Sequence, residues 1–180
     1  AAGLPVGLRR WLGIDRPVLL VDLEGDRAHL TRRSGGRDEL LGTRVPGEGP
    51  PLLAEEMRVV VRLPAEAGLR RMLDLPGAVE ENLSGVLDIV EFELEKRTPF
   101  RAAQVFLDYR VAGRNPGTQT LQTDLLLAPR AQVIQAYDAA RDLGLAPHAL
   151  TVGSGEETQG FNLLPPALRP APPRRSGLTW

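Results

Sequence analysis

The sequence predicts a mixed α/β domain, and three observations carry that prediction. Val18-Leu19-Leu20-Val21 is an apolar run closed by Pro17 on one side and Gly25-Asp26 on the other, the pattern of a strand entering a hairpin. Residues 57–63 are strongly β-branched and stop at Pro64, which reads as a buried strand. Two later segments carry helical spacing instead, and alternating strands and helices bury their apolar faces by packing helix on sheet.

Taken in order, residues 4–12 open the chain as a short helix with Val6, Leu8, Trp11 and Leu12 as its apolar side. The strand at 18–21 returns through Ala28 and Leu30, turns at Gly35-Gly36, and a third strand occupies 39–45. Residues 46–51 (PGEGPP) are a loop. After the strand at 57–63 comes an apolar segment at 69–75, ended by Pro76. The clearest helix follows. At about 100° per residue, Val79, Leu83, Val86, Leu87, Val90 and Leu94 fall on one stripe. Thr98-Pro99 ends it, because the residue before proline avoids the helical region.

Residues 105–111 (VFLDYRV) and 118–127 (TQTLQTDLLL) form two strands around the turn at 113–117. Pro129 suits the start of a second helix, whose inward side is Val133, Ile134, Tyr137, Ala140 and Leu143, with Gly144 as its C-terminal cap. Residues 149–152 give a last strand. Beyond Gly153 the chain reads as a linker. Residues 165–175 hold five prolines and three arginines, a semi-rigid basic segment that cannot build a core. The division expected is therefore 1–152 for the folded domain and 153–180 for linker and tail.

Composition narrows the function. The 180 residues have a net charge of −1, 42% hydrophobic and 25% charged residues, which gives no basic footprint for nucleic acid. Without cysteine there is no disulfide framework and no cysteine-ligated metal. No apolar stretch reaches the roughly 18–20 residues of a membrane span, and the first residues lack the pattern of a signal peptide.

Chemistry is sought and not found. His29 and His148 lie in separate elements without a partner at metal spacing, so both read as surface or structural histidines. Glu80, Glu81, Asp88, Glu91 and Glu95 form the solvated side of the long helix. Glu93 sits at the edge of the apolar stripe, to pair with Arg97 or Arg101 or to face a partner. No phosphate-binding lysine loop and no nucleophile elbow occur. No catalytic residue, metal ligand or cofactor is expected.

One block is more specific. Leu63-Pro64, Leu73-Asp74-Leu75-Pro76, the glutamate-bearing helix, Arg97-Thr98-Pro99-Phe100, Val105-Phe106-Leu107-Asp108-Tyr109-Arg110-Val111 and the Leu143-Gly144-Leu145-Ala146-Pro147 turn together resemble the PilM family of actin-like pilus assembly proteins and the related cytoplasmic domain of the type II secretion protein L (GspL) family. Phe161-Asn162-Leu163-Leu164-Pro165 is similar to the leader of PilN-type proteins, which docks onto PilM; its place after the PilM-like block is the layout of the GspL family. The resemblance implies a reduced actin-like fold, a mixed sheet with two main helices.

It also implies a scaffold, with the secretion ATPase (GspE) as partner, GspM-like and other inner-membrane platform proteins beside it, a homodimer left open, and a membrane helix after the basic flank Arg169, Arg174 and Arg175. The segment itself is expected on the cytoplasmic face of the inner membrane. The early hairpin departs from actin-like relatives. It reads Val21-Asp22-Leu23-Glu24-Gly25-Asp26, and its extra carboxylates Glu24 and Asp26 oppose a polyphosphate. The chain is also expected to lack the second lobe of a nucleotide cleft. Phe92 points off the apolar stripe, flanked by Glu91, Glu95, Lys96 and Arg97, which makes these the candidate partner-binding residues unless Phe92 packs under another element. The alternatives are a type IV pilus scaffold of the PilM/PilN type, or a small nucleotide-binding protein.

Overall fold

The computed structural model describes residues 16–54, 56–76 and 83–171, so the helix expected at 4–12, Val79, and Arg174 and Arg175 lie outside the described residues. The first sheet opens with an antiparallel meander of β1 (Val18–Glu24), β2 (Arg27–Ser34) and β3 (Arg37–Arg44). Gly35 and Gly36 both take positive φ (57° and 76°), as a two-residue hairpin matching the strand twist requires. β4 (Arg58–Leu63) and β8 (Ala149–Val152) then add in parallel, giving the order β3-β2-β1-β4-β8. β1 opens with the apolar run VLLV and buries Leu19, Leu20 and Val21 in succession, whereas β4 buries alternate residues, Val59, Val61 and Leu63.

Everything between β4 and β8 is one long crossover. It holds β5 (Leu69–Pro76), α1 (Leu83–Arg97), β6 (Val105–Asn115), β7 (Thr120–Pro129) and α2 (Arg130–Asp142). The three strands make a second, antiparallel sheet in the order β5-β7-β6. Strand periodicity gives β7 two jobs. Leu121, Leu125 and Leu127 face a core with Val90 and Leu94 of α1, while Leu126 and Ala128 face a larger core with α2 and the first sheet. A strand buried on both faces reads as the continuous run LLLA and welds the two sheets together.

α2 lies against the first sheet with Val133, Ala136 and Ala140 buried, and Leu143 follows them inward. Ile134, expected on that inward side, is 37% exposed; the 3-4-3 spacing runs through Ala136 instead, whose small side chain allows close approach to the sheet. The helix ends in a Schellman motif. The Leu145 amide donates to Ala140 O and the Gly144 amide to Arg141 O. Gly144 has φ +86°, and a Cβ there would lie 2.6 Å from Pro51 Cβ, so glycine is required twice over.

The expected boundary at residue 152 differs from the structure. Phe161, Leu163 and Leu164 are 1–3% exposed and belong to the larger core, with Leu168 packed against it. What reads as linker is a strap that returns across the domain, because its apolar side chains find a groove that only the assembled sheets create. Among the described residues no helix is long and apolar enough to cross a membrane.

Candidate docking surfaces

Three places hold side chains that composition alone would not arrange. The first is the β1–β2 hairpin mouth, where an actin-like protein would hold phosphate. Asp22 sits beside Arg62 in the parallel register of β1 and β4. Arg62 Nη2 donates to Asp22 Oδ2 at 2.6 Å and Nε donates to Oδ1, a bidentate fork. Asp22 is thereby neutralised by its own neighbour. Glu24 faces His29, Oε2 to Nε2 at 3.3 Å, and His29 Nδ1 meets Thr43 Oγ1 at 3.0 Å. Glu24, Glu66 and Asp22 line the open cleft here, of about 320 Å³, with Arg62 as the guanidinium. Among the described residues no group of His, Asp and Glu is placed to hold a metal ion.

The second place is the strap. Asn162 works as a clamp on four sides. Its Oδ1 accepts from the amides of Leu150 (3.1 Å) and Leu164 (3.0 Å), its Nδ2 donates to His148 O (3.2 Å), and its own amide donates to Asp108 Oδ2 (2.8 Å). The Leu163 amide adds a bond to Leu150 O. These bonds close the outer edge of β8. Upstream, Arg110 spans from β6 to the strap, donating to Glu157 O and Gln159 O, both at 2.8 Å. Its guanidinium carbon also lies 4.3 Å from the centre of the Phe161 ring.

Arg110 is held from behind by Asp124. That carboxylate is 4% exposed and accepts a fork from Arg70 (2.8 and 2.8 Å) and longer bonds from Arg110 (3.3 Å). The Arg70 hydrogen bonds are the main cause that holds the Asp124 carboxyl below its ordinary range, with Arg110 adding to it; burial acts the other way. His148 completes the site. Its Nδ1 accepts from the Val59 amide at 3.0 Å while its own amide donates to Val59 O, so the ring must stay neutral on that nitrogen. Burial, then the charges of Arg58 and Arg16, lower its pKa.

The third place is the outer face of α1. Phe92 is 65% exposed, as expected of a residue off the apolar stripe. Lys96 Nζ lies 6.0 Å from its ring centre. Of the other candidate residues, Glu91 is exposed, Glu95 Oε1 accepts from the Ala102 amide at 3.3 Å, and Arg97 Nε donates to Glu93 at 2.9 Å. The Glu93–Arg97 pairing is one of those the spacing predicted. Arg169, placed in a membrane flank by the sequence, donates Nε to Leu164 O at 2.9 Å and so belongs to the end of the strap.

Asn162, Asp124, Asp108 and Arg110 were not singled out from sequence as site residues. A signal existed for one of them: an aspartate inside the apolar run TDLLLA demands a cationic partner. Which arginine answers it is a matter of sheet register alone.

The fold aligns with the cytoplasmic domain of EpsL, an inner-membrane component of the type II secretion system of Vibrio cholerae (TM-score 0.53, 15% identity, 78% of this chain and 60% of that one). It aligns as well with the PilM–PilN type IV pilus biogenesis complex (TM-score 0.54, 21% identity, 74% of this chain and 46% of that one). The chain therefore shares its fold with these two secretion and pilus proteins. No family model matches it. Its sequence is 30% identical over 172 residues to the type II secretion system protein L of Xanthomonas campestris pv. campestris, across 89% of this chain and 45% of that protein. The chain is thus similar in sequence to a type II secretion system protein L, and it spans less than half the length of that relative.

Proposed function

We propose that this domain is the cytoplasmic recruiting module of an inner-membrane platform in a type II secretion system, docking the secretion ATPase and performing no chemistry itself. The observation that carries the reading is the 30% identity to a type II secretion protein L over nearly the whole chain. The folds of the secretion and pilus relatives match equally well, so the sequence relation is what favours secretion over a pilus scaffold.

The hairpin supports a non-catalytic role. With Asp22 tied to Arg62 and Glu24 and Glu66 around it, the cleft presents carboxylates where a nucleotide would need donors and a free metal-binding acid. Titration calorimetry with ATP and Mg²⁺ is expected to show no binding; micromolar affinity would overturn the scaffold reading.

The exposed Phe92, with Glu91, Glu95, Lys96 and Arg97 around it, is the proposed ATPase contact, since an aromatic anchor inside a charged rim is the usual anatomy of such an interface. Arg174 and Arg175 are proposed to flank a membrane helix further along the full-length protein, where GspM-like platform proteins would meet it. Pull-down of the cognate secretion ATPase tests recruitment. Association with the wild-type domain and its loss in Phe92→Ala is the expected result. Failure of the wild type to associate overturns recruitment, and undiminished association in Phe92→Ala removes the contact from α1.

A further inference from the structure

A groove separate from the α1 face runs along α2 on the side of the β1–β2 turn, with a volume of about 750 Å³. Its floor is apolar, from Leu23, Val45, Leu63 and Ile134. Ile134 is the one large apolar residue of α2 that stands open, at 37%, although the helix buries its neighbours Val133 and Ala136. The charged residues along the groove are Asp26, Asp138 and Asp142 against a single cation, Arg27. None of these three carboxylates has a hydrogen bond or ion pair among the described residues, whereas Asp22, Asp38 and Asp124 are each held by arginine.

We propose that this groove docks a basic amphipathic helix of a partner protein, with its apolar stripe on Ile134 and its cations on Asp26, Asp138 and Asp142. The inference rests on the recruiting role and adds a second contact surface with a defined partner chemistry. Three unpaired carboxylates around an apolar floor are complementary to cations flanking an apolar anchor. The occupant is a helix because the groove offers no free strand edge. β1, β2 and β4, whose ends line it, are interior strands paired on both sides, and the edge strand β3 meets it only past its last residue, at Val45 and Pro46, so an extended peptide would find no ladder for its amides. A helix satisfies its own backbone. The 13 residues of α2 give a groove about 20 Å long, enough for three turns of a partner helix anchored at i, i+3 or i+4, and i+7.

The test uses the isotopically labelled domain and two synthetic amphipathic helices of about 18 residues, one of Leu and Lys and one of Leu and Glu. The Leu/Lys peptide is expected to shift the amides of α2 and of residues 24–27. Its affinity should fall about tenfold or more in Asp138→Lys/Asp142→Lys, and again between about 50 and about 500 mM salt. Ile134→Glu should weaken it likewise, and circular dichroism should show both variants folded, since these side chains stand at the surface. Shifts centred elsewhere, equal binding of the Leu/Glu peptide, or unchanged affinity in the charge-reversed variant would overturn the proposal. The secretion ATPase is a separate readout. A wild-type domain that binds the basic peptide in this groove but not the ATPase would refute ATPase recruitment and leave the groove standing.

Discussion

Phe161 and Phe92 each sit beneath a cation, yet they serve opposite ends. Phe161 is 3% exposed, with the Arg110 guanidinium 4.3 Å from its ring centre and the strap around it fastened by Asn162. Phe92 is 65% exposed, with Lys96 6.0 Å away on the same helix and no other element over it among the described residues. The difference is desolvation. An aromatic removed from water contributes its full apolar area to folding, whereas one left in water is available to a partner and contributes little until that partner arrives. Burial separates the residue that builds the domain from the residue proposed to meet a partner.

The largest effect should come from breaking the buried member. Phe161→Ala is expected to cost about 3–5 kcal/mol in urea unfolding, because it opens a cavity and removes the ring under Arg110. A loss below about 1 kcal/mol would mean that the strap is peripheral and that the contrast with Phe92 fails. Asn162→Ala should follow at about 1–3 kcal/mol, as the Leu150 and Leu164 amides and His148 O lose their partner. Asn162→Asp keeps an oxygen for the two amides but sets a charged oxygen against His148 O beside Asp108, so it should cost at least as much. Hydrogen exchange at the Leu150 amide reads the clamp directly, and equal protection in wild type and Asn162→Ala would argue against it.

The strap should also respond to acid, in two windows. His148 has a pKa lowered from its ordinary 6.5, so the unfolded chain takes up its proton first. Its contribution is whole above pH 6.5 and is lost as pH falls below that value. Asp124 has a pKa lowered from its ordinary 3.8, so its contribution is whole above about that pH and is lost as pH falls further, through its folded value. His148→Gln should flatten the upper part of the stability–pH curve and Asp124→Asn the lower part. Curves that superpose on wild type after correction for the offset at pH 8 would count against both assignments.

The smallest effect on folding belongs to Phe92→Ala, within about 0.5 kcal/mol of wild type by the same unfolding measurement. In the proposed ATPase association the order should invert. Phe92→Ala should lose about tenfold or more in affinity, the scale of an aromatic hot spot. A Phe92 variant that unfolds the domain would show that the ring packs internally after all.

The strands of the first sheet, both helices and the β6–β7 hairpin were legible because their causes are local: β-branched runs, turn glycines and prolines, and helical spacing act within a few residues. Exposure of Phe92 was legible for the same reason, since a helix wheel needs only the sequence. Ile134 was placed inward and Ala136 was not, the reverse of what the structure shows. Helical phase allows either to face the sheet, and the closeness of the sheet decides between a large and a small side chain. The similarity of Phe161-Asn162-Leu163-Leu164 to a docking leader was visible, but the place of docking was not. The sequence put it in a tail, and the folded chain docks it onto itself.

By itself, then, the sequence determined the hairpins, the two helices and the resemblance to type II secretion protein L. Tertiary structure alone decided that β7 is shared by two cores, that Asp124 answers to Arg70 and Arg110, and that the strap belongs to the domain. The reason is contact range. Asn162 meets Asp108 across 54 positions of sequence, and Asp124 meets Arg70 across another 54. Such pairs are set by strand register and by burial in a groove that exists only once both sheets are in place.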